Sequence, residues 1–187
     1  MSRWFVYFLL YSLGGYGLEK LHARLSHSPR QVRKCFLLLP LCPVYGLAMT
    51  ALIALTPEGL GTFPMMILGG VVCTGVEFLV HLFYDKVLGV QFWDYSPMRC
   101  HIQGRICPQF AVIWGVLSAT ALRWVQPFAE SVAEALPPWA VFLLWIMLAA
   151  DCVLSAVLLR RYKDTELLTP GAVLAQMRAV NQSNTSL

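Results

Sequence analysis

The apolar residues of this chain fall into long blocks, and its charges fall between them. A bilayer sorts a sequence this way, because a charged side chain at mid-membrane costs at least about 2.5 kcal/mol on insertion scales. Four blocks, 35–56, 63–83, 106–128 and 138–159, reach the roughly 20 residues that a helix needs to cross the hydrocarbon. A fifth, 1–18, is shorter. A secretory leader would end in a small-residue cleavage site, whereas Glu19, Lys20 and Leu21 follow here, so a retained helix is expected. The chain is 58% hydrophobic and 13% charged, against roughly 45–50% and 25% in soluble domains. The expected fold class is therefore all-α: an integral membrane helical bundle with about five transmembrane helices over 1–163, then a polar tail over 164–187.

The basic residues give this bundle an orientation. The connection after the first block carries Lys20, Arg24, Arg30, Arg33 and Lys34, and the next, near 57–62, carries none. The third carries Lys86, Arg99 and Arg105, and the fourth, near 129–137, has only Glu130 and Glu134. Arg160, Arg161, Lys163 and Arg178 follow the last block. Lys and Arg concentrate on the cytoplasmic side. The expected location is thus the cell membrane, multi-pass, with the N-terminus outside and the C-terminus cytoplasmic. Arg3 and Arg123 would snorkel at the far interface. The tail is expected to be a short cytoplasmic helix that frays.

The net charge of +4 is explained by this topology, so no nucleic-acid partner is expected. The six cysteines lack CxxC or zinc-ribbon spacing and read as reduced, small hydrophobes. Cys100, His101 and Cys107 match no zinc pattern. No metal and no cofactor is expected.

On that topology the costly groups collect in the cytoplasmic half of the membrane, leaving the outer half nearly plain hydrocarbon. Glu19 ends the first span, Glu77 and His81 lie near the inner end of the third, Asp151 sits at similar depth on the fifth, and Arg105 opens the fourth. Glu77, His81 and Asp85 are spaced four apart, on one helix face. That face either lines a polar cavity for a cation, proton or headgroup, or places Glu77 where Arg105 or a proton neutralises it. Asp151 reads as structural. Pro40 and Pro43 are expected to kink the second helix, for packing or as a break of the kind transporters use. Gly69, Gly70 and Gly75 would let helices approach closely. The aromatic stretch Gln91-Phe92-Trp93-Asp94-Tyr95-Ser96-Pro97 is expected to fold back onto the inner membrane face, turning at Ser96-Pro97, with Pro108 in the first turn of the fourth helix.

Several of these residues also carry a family resemblance. Leu13-Gly14 and Glu19 end the first helix. Then come Leu39-Pro40-Leu41-Cys42-Pro43-Val44-Tyr45-Gly46, Thr74-Gly75-Val76-Glu77-Phe78, Trp93-Asp94-Tyr95-Ser96, Gly104-Arg105-Ile106-Cys107 and Trp114-Gly115. In this order, over roughly residues 5–128, they resemble the bacterial ABC-transporter permeases of type IV, or CmpB-like permeases. Leu39 stands where that pattern has Gly and Gln103 where it has Asn, while Asp85-Lys86 keeps its acidic residue and Lys.

The resemblance implies a permease-like component. The chain lacks a G-x-x-x-x-G-K-[ST] loop, so a separate ATP-hydrolysing subunit would drive it, and about five spans imply a homo-oligomer or larger assembly in the lipid bilayer. The alternatives are a membrane scaffold or regulatory subunit, or an enzyme acting on a lipid headgroup at the inner leaflet. No catalytic motif is present, so a non-enzyme is expected. The candidate binding residues are Glu19, Pro43, Tyr45, Glu77, His81, Asp85, Trp93, Asp94, Tyr95 and Arg105.

Overall fold

A computed structural model describes residues 2–25 and 35–168. The described residues are helical, with no strand beyond an isolated bridge between Ile102 and Ile106. The helices are α1 (Ser2–Leu25), α2 (Pro43–Leu55), α3 (Thr62–Phe83), α4 (Pro108–Thr120), α5 (Gln126–Ala135) and α6 (Pro138–Tyr162). A π turn, Tyr84–Leu88, prolongs α3, and another, Ala121–Val125, joins α4 to α5. By length and composition, two helices can cross a membrane: Thr62–Leu88 and Pro138–Tyr162. Most of the expected tail lies outside the described residues.

Three expectations about element boundaries are corrected. The block 35–56 is helical only from Pro43, because proline disfavours helical backbone in the residue before it and donates no amide hydrogen. Pro43 therefore starts a helix, at its first turn, and does not kink one. The expected connection at 129–137 is mostly helix, with Ala129 buried and Glu130 and Glu134 exposed on α5. The helical rod from Pro108 passes through a π turn just ahead of Pro127, whose missing amide interrupts the ordinary ladder.

At 13 residues, α2 is about 20 Å long, short of the ~30 Å hydrocarbon layer. The irregular stretch before it carries backbone amides that need partners. Leu38 and Leu39 donate to the two carboxylate oxygens of Asp151 on α6, at 3.1 and 2.9 Å. Cys42 donates to the Ser12 carbonyl of α1 at 2.8 Å, and Leu41 to that of Leu39 at 2.7 Å. Cys35, Leu37 and Cys42 are almost fully buried. Irregular backbone within an apolar fold survives only when other protein satisfies it, and Asp151 supplies that satisfaction.

Packing follows small residues. In the α3/α4 crossing, a side chain at Gly115 would meet the Met66 carbonyl at 2.5 Å, one at Gly70 the Ala111 carbonyl at 3.0 Å, and one at Gly69 the Ser118 hydroxyl. Gly75, by contrast, faces open space, so it takes no part in close approach. Helix α2 lies between α1 and α3, and α5 returns to pack on α1. There the Tyr11 hydroxyl donates to Gln126 at 2.9 Å, and Gln126 donates to Glu130 at 3.0 Å. Tyr11 and Gln126 are both buried, so this crossing carries a polar pair of its own, away from Glu77 and the 89–107 loop.

Replacing Asp151 with Ala leaves two amides without their acceptor and is expected to cost about 2–3 kcal/mol. Thermal unfolding of the purified protein in mild detergent checks this. Asp151→Asn, which keeps one acceptor oxygen, should fall between the two.

Candidate functional site

The four-residue spacing of Glu77, His81 and Asp85 does produce one face, and each residue holds a different point of the 89–107 loop or of α4. Asp85, in the π turn, pairs with Arg105 at 2.6 Å. The His81 ring nitrogen Nε2 lies 3.0 Å from the Trp93 carbonyl oxygen, and the two rings meet edge to face at 5.1 Å. Glu77 accepts from the Tyr95 hydroxyl at 2.9 Å through one oxygen and from the Trp114 indole N–H at 3.0 Å through the other. The loop thus lies down along the end of α3, burying Val90 and Phe92. Arg105, the neutraliser considered for Glu77, has its ion pair with Asp85.

The loop's own geometry explains its motif residues. Met98 donates to the Tyr95 carbonyl at 2.8 Å, closing a turn over Ser96-Pro97. Tyr95 donates to the Gly104 carbonyl at 2.7 Å, and the Trp93 indole to the Arg105 carbonyl at 3.0 Å. Asp94 accepts from the Ser96 amide at 2.8 Å. Hydrogen bonds from the Ser96 side chain and backbone hold the Asp94 carboxyl below its usual range. Gly104 has φ 69°, and a Cβ there would lie 2.6 Å from the Ser96 hydroxyl and 2.7 Å from Asp94. Gln103 also has positive φ, 54°, a conformation that Asn adopts more readily. The longer Gln103 reaches the Arg105 guanidinium.

Opposite the loop, the Tyr45 hydroxyl of α2 donates to Glu19 of α1 at 2.9 Å. The Tyr45 ring lies 4.9 Å from that of Trp114, and Tyr95 stacks on Phe110 at 4.8 Å. These groups enclose a cavity of about 310 Å³, lined by Glu19, His22, Tyr45, Glu77, Trp93 and Tyr95 together with Phe110, Trp114 and a leucine-rich rim. Glu77 is buried and Glu19 half-buried. Burial, and then the Glu77 charge beside it, push the Tyr95 phenol well above its ordinary pKa, so it stays a neutral donor to the carboxylate.

Of the ten residues singled out in the sequence, five line this cavity. His81, Asp85, Asp94 and Arg105 instead secure the loop that forms its wall, and Pro43 starts the helix that carries Tyr45. Sequence reasoning does not single out His22, Phe110 or Trp114 as site residues, although Trp114-Gly115 stands out as a motif. Nothing in an apolar helix distinguishes a ring that lines a cavity from one that faces lipid. Cys107 packs its sulfur against Met98 at 3.6 Å while Cys100 is exposed, and no group of three or more His, Cys, Asp or Glu converges as a metal site among the described residues.

Gly104→Ala would place a side chain in left-handed backbone against two polar atoms, and is expected to destabilise by roughly 1–3 kcal/mol. A lowered thermal midpoint, with faster proteolysis in the 89–107 loop than at the α5/α6 connection, checks it.

Comparison with known proteins adds one match. A family described as "Putative ABC-transporter type IV" matches residues 6–157, through most of α6 and well past the motif-bearing region. No curated protein and no solved structure matches the chain.

Proposed function

Since this chain belongs to the putative ABC-transporter type IV family, we propose that it is a multi-pass membrane component of permease type, driven by a separate ATP-hydrolysing subunit and acting through the cavity between α1 and α4. In this reading α1, the segment ending in α2, α3, the α4–α5 rod and α6 form about five spans. The N-terminus is outside, and the 89–107 loop and the tail are cytoplasmic.

The observation that carries the reading is the cavity itself. It gathers residues from α1, α2, α3, α4 and the loop, and one of its two carboxylates, Glu77, is buried on the apolar helix α3, where an ionisable group is costly and marks a substrate or ion pathway. The broken second segment is consistent with it, since transporters build sites where helices are interrupted. The loop, lying at the cytoplasmic mouth, is the surface on which a motor subunit would dock. A scaffold or regulatory role is the second reading. It is favoured by the use of Asp85, His81, Asp94 and Arg105 to hold the loop in place.

Two measurements test the proposal. An impermeant maleimide applied to intact cells should label a Glu58→Cys variant and spare Cys100, which is exposed on the loop; labelling of Cys100 would overturn the orientation. Tagged protein taken from native membranes in mild detergent should bring with it an ATP-hydrolysing subunit whose turnover falls on Glu77→Gln. Purification without such a subunit, even after cross-linking in the membrane, would favour the scaffold reading.

A further inference from the structure

We infer that the cavity binds an organic cation bearing an apolar tail, an alkylammonium-type amphiphile, with its charged head between Glu19 and Glu77 and its tail leaving past α1 and α4. The inference rests on the cavity reading above and deepens it by naming a ligand class.

The head end is argued from charge and ring chemistry. The lining presents two carboxylates, the imidazole of His22 and, among the described residues, no lysine or arginine. Each carboxylate is held by a tyrosine hydroxyl, from Tyr45 and Tyr95, at 2.9 Å, so its position is fixed before any ligand arrives. Apart from His22, the remaining polar wall is built of aromatic rings: Tyr45 beside Trp114, Tyr95 stacked on Phe110, and Trp93 at the loop. Aromatic faces attract ammonium groups through the ring quadrupole, most strongly where water is excluded, and aromatic cages recognise quaternary ammonium in this way. An anion would meet repulsion at both carboxylates. A small metal ion needs a dense shell of oxygen ligands, which rings do not provide.

The tail end is argued from the rim. Leu18, Leu21 and Leu25 on α1 and Ile113 and Leu117 on α4 line the same cavity, yet are 40% or more exposed. The opening is therefore lateral and greasy, in the direction a bundle presents to lipid. A ligand charged at one end and apolar at the other matches both ends of the space. A compact cation fills only the head end.

Calorimetry on the full-length protein in an uncharged maltoside detergent tests this, with four probes: octyltrimethylammonium, tetramethylammonium, octyl sulfate and octyl glucoside. Saturable binding of octyltrimethylammonium is expected, about tenfold or more tighter than any of the others. Glu77→Gln should weaken it about tenfold, as should Glu19→Gln, while Glu130→Gln on α5 should leave it unchanged. Glu77→Gln is a mild change for folding: the amide oxygen still accepts from Trp114, and the amide N–H₂ can donate to a rotated Tyr95 hydroxyl. Equal affinity for the sulfate or the glucoside would overturn the inference whether or not any variant folds. So would unchanged affinity in both carboxylate variants. Tetramethylammonium binding as tightly as the octyl compound would overturn the tail. Because the isolated chain suffices here, failure of this test and failure to find a motor subunit are separate results.

Discussion

Glu77 is where the parts of this molecule meet. It rises from α3, one oxygen takes the hydroxyl of the loop's Tyr95, and the other takes the indole of Trp114 on α4. A carboxylate 4% exposed among apolar helices is costly unless its lone pairs are filled. Filling them draws the loop and the fourth helix toward the third. Trp114 in turn carries Tyr45 against it, and Tyr45 holds Glu19. One chain of contacts therefore runs from the first helix to the fourth, and the cavity is the space those contacts leave.

The loop is kept in place by two further contacts on the same helix face. Asp85 with Arg105 and His81 with the Trp93 carbonyl lie progressively nearer the end of α3. They do not touch the cavity, but they help hold the loop that presents Tyr95 and Trp93 beside it. This division of work explains why a stretch so dense in motif residues contributes only two of them to the lining. Most of the conspicuous chemistry serves the wall, and the wall serves the space.

The sequence disclosed the helical class and the α3 face, because each follows from a period: blocks of apolar residues for the first, steps of four for Glu77, His81 and Asp85. The turn of the loop was legible in Ser96-Pro97. What stayed hidden depends on pairing between distant segments. The role of Asp151 could not be read from α6 alone, since its partners are backbone amides in the irregular stretch at Leu38 and Leu39. The prolines there read as a kink, because a kink and a delayed helix start leave the same trace in sequence. The Tyr11–Gln126 pair escaped notice because an uncharged amide in an apolar run does not break the pattern. Trp114 was visible as a motif, but only its neighbours in space make it part of a cavity.

The contact between Asp151 and the amides of Leu38 and Leu39 also sets an order in time. These residues lie 113 and 112 positions apart, so during synthesis the irregular stretch emerges long before its carboxylate exists. At roughly 5–20 residues per second, those amides wait several seconds or more, held by water or by assembly factors, before α6 can reach them. Maturation of this molecule is consequently gated by its last long helix. A nascent chain stopped before that helix would contain every residue that lines the cavity and still lack the means to close its own second segment.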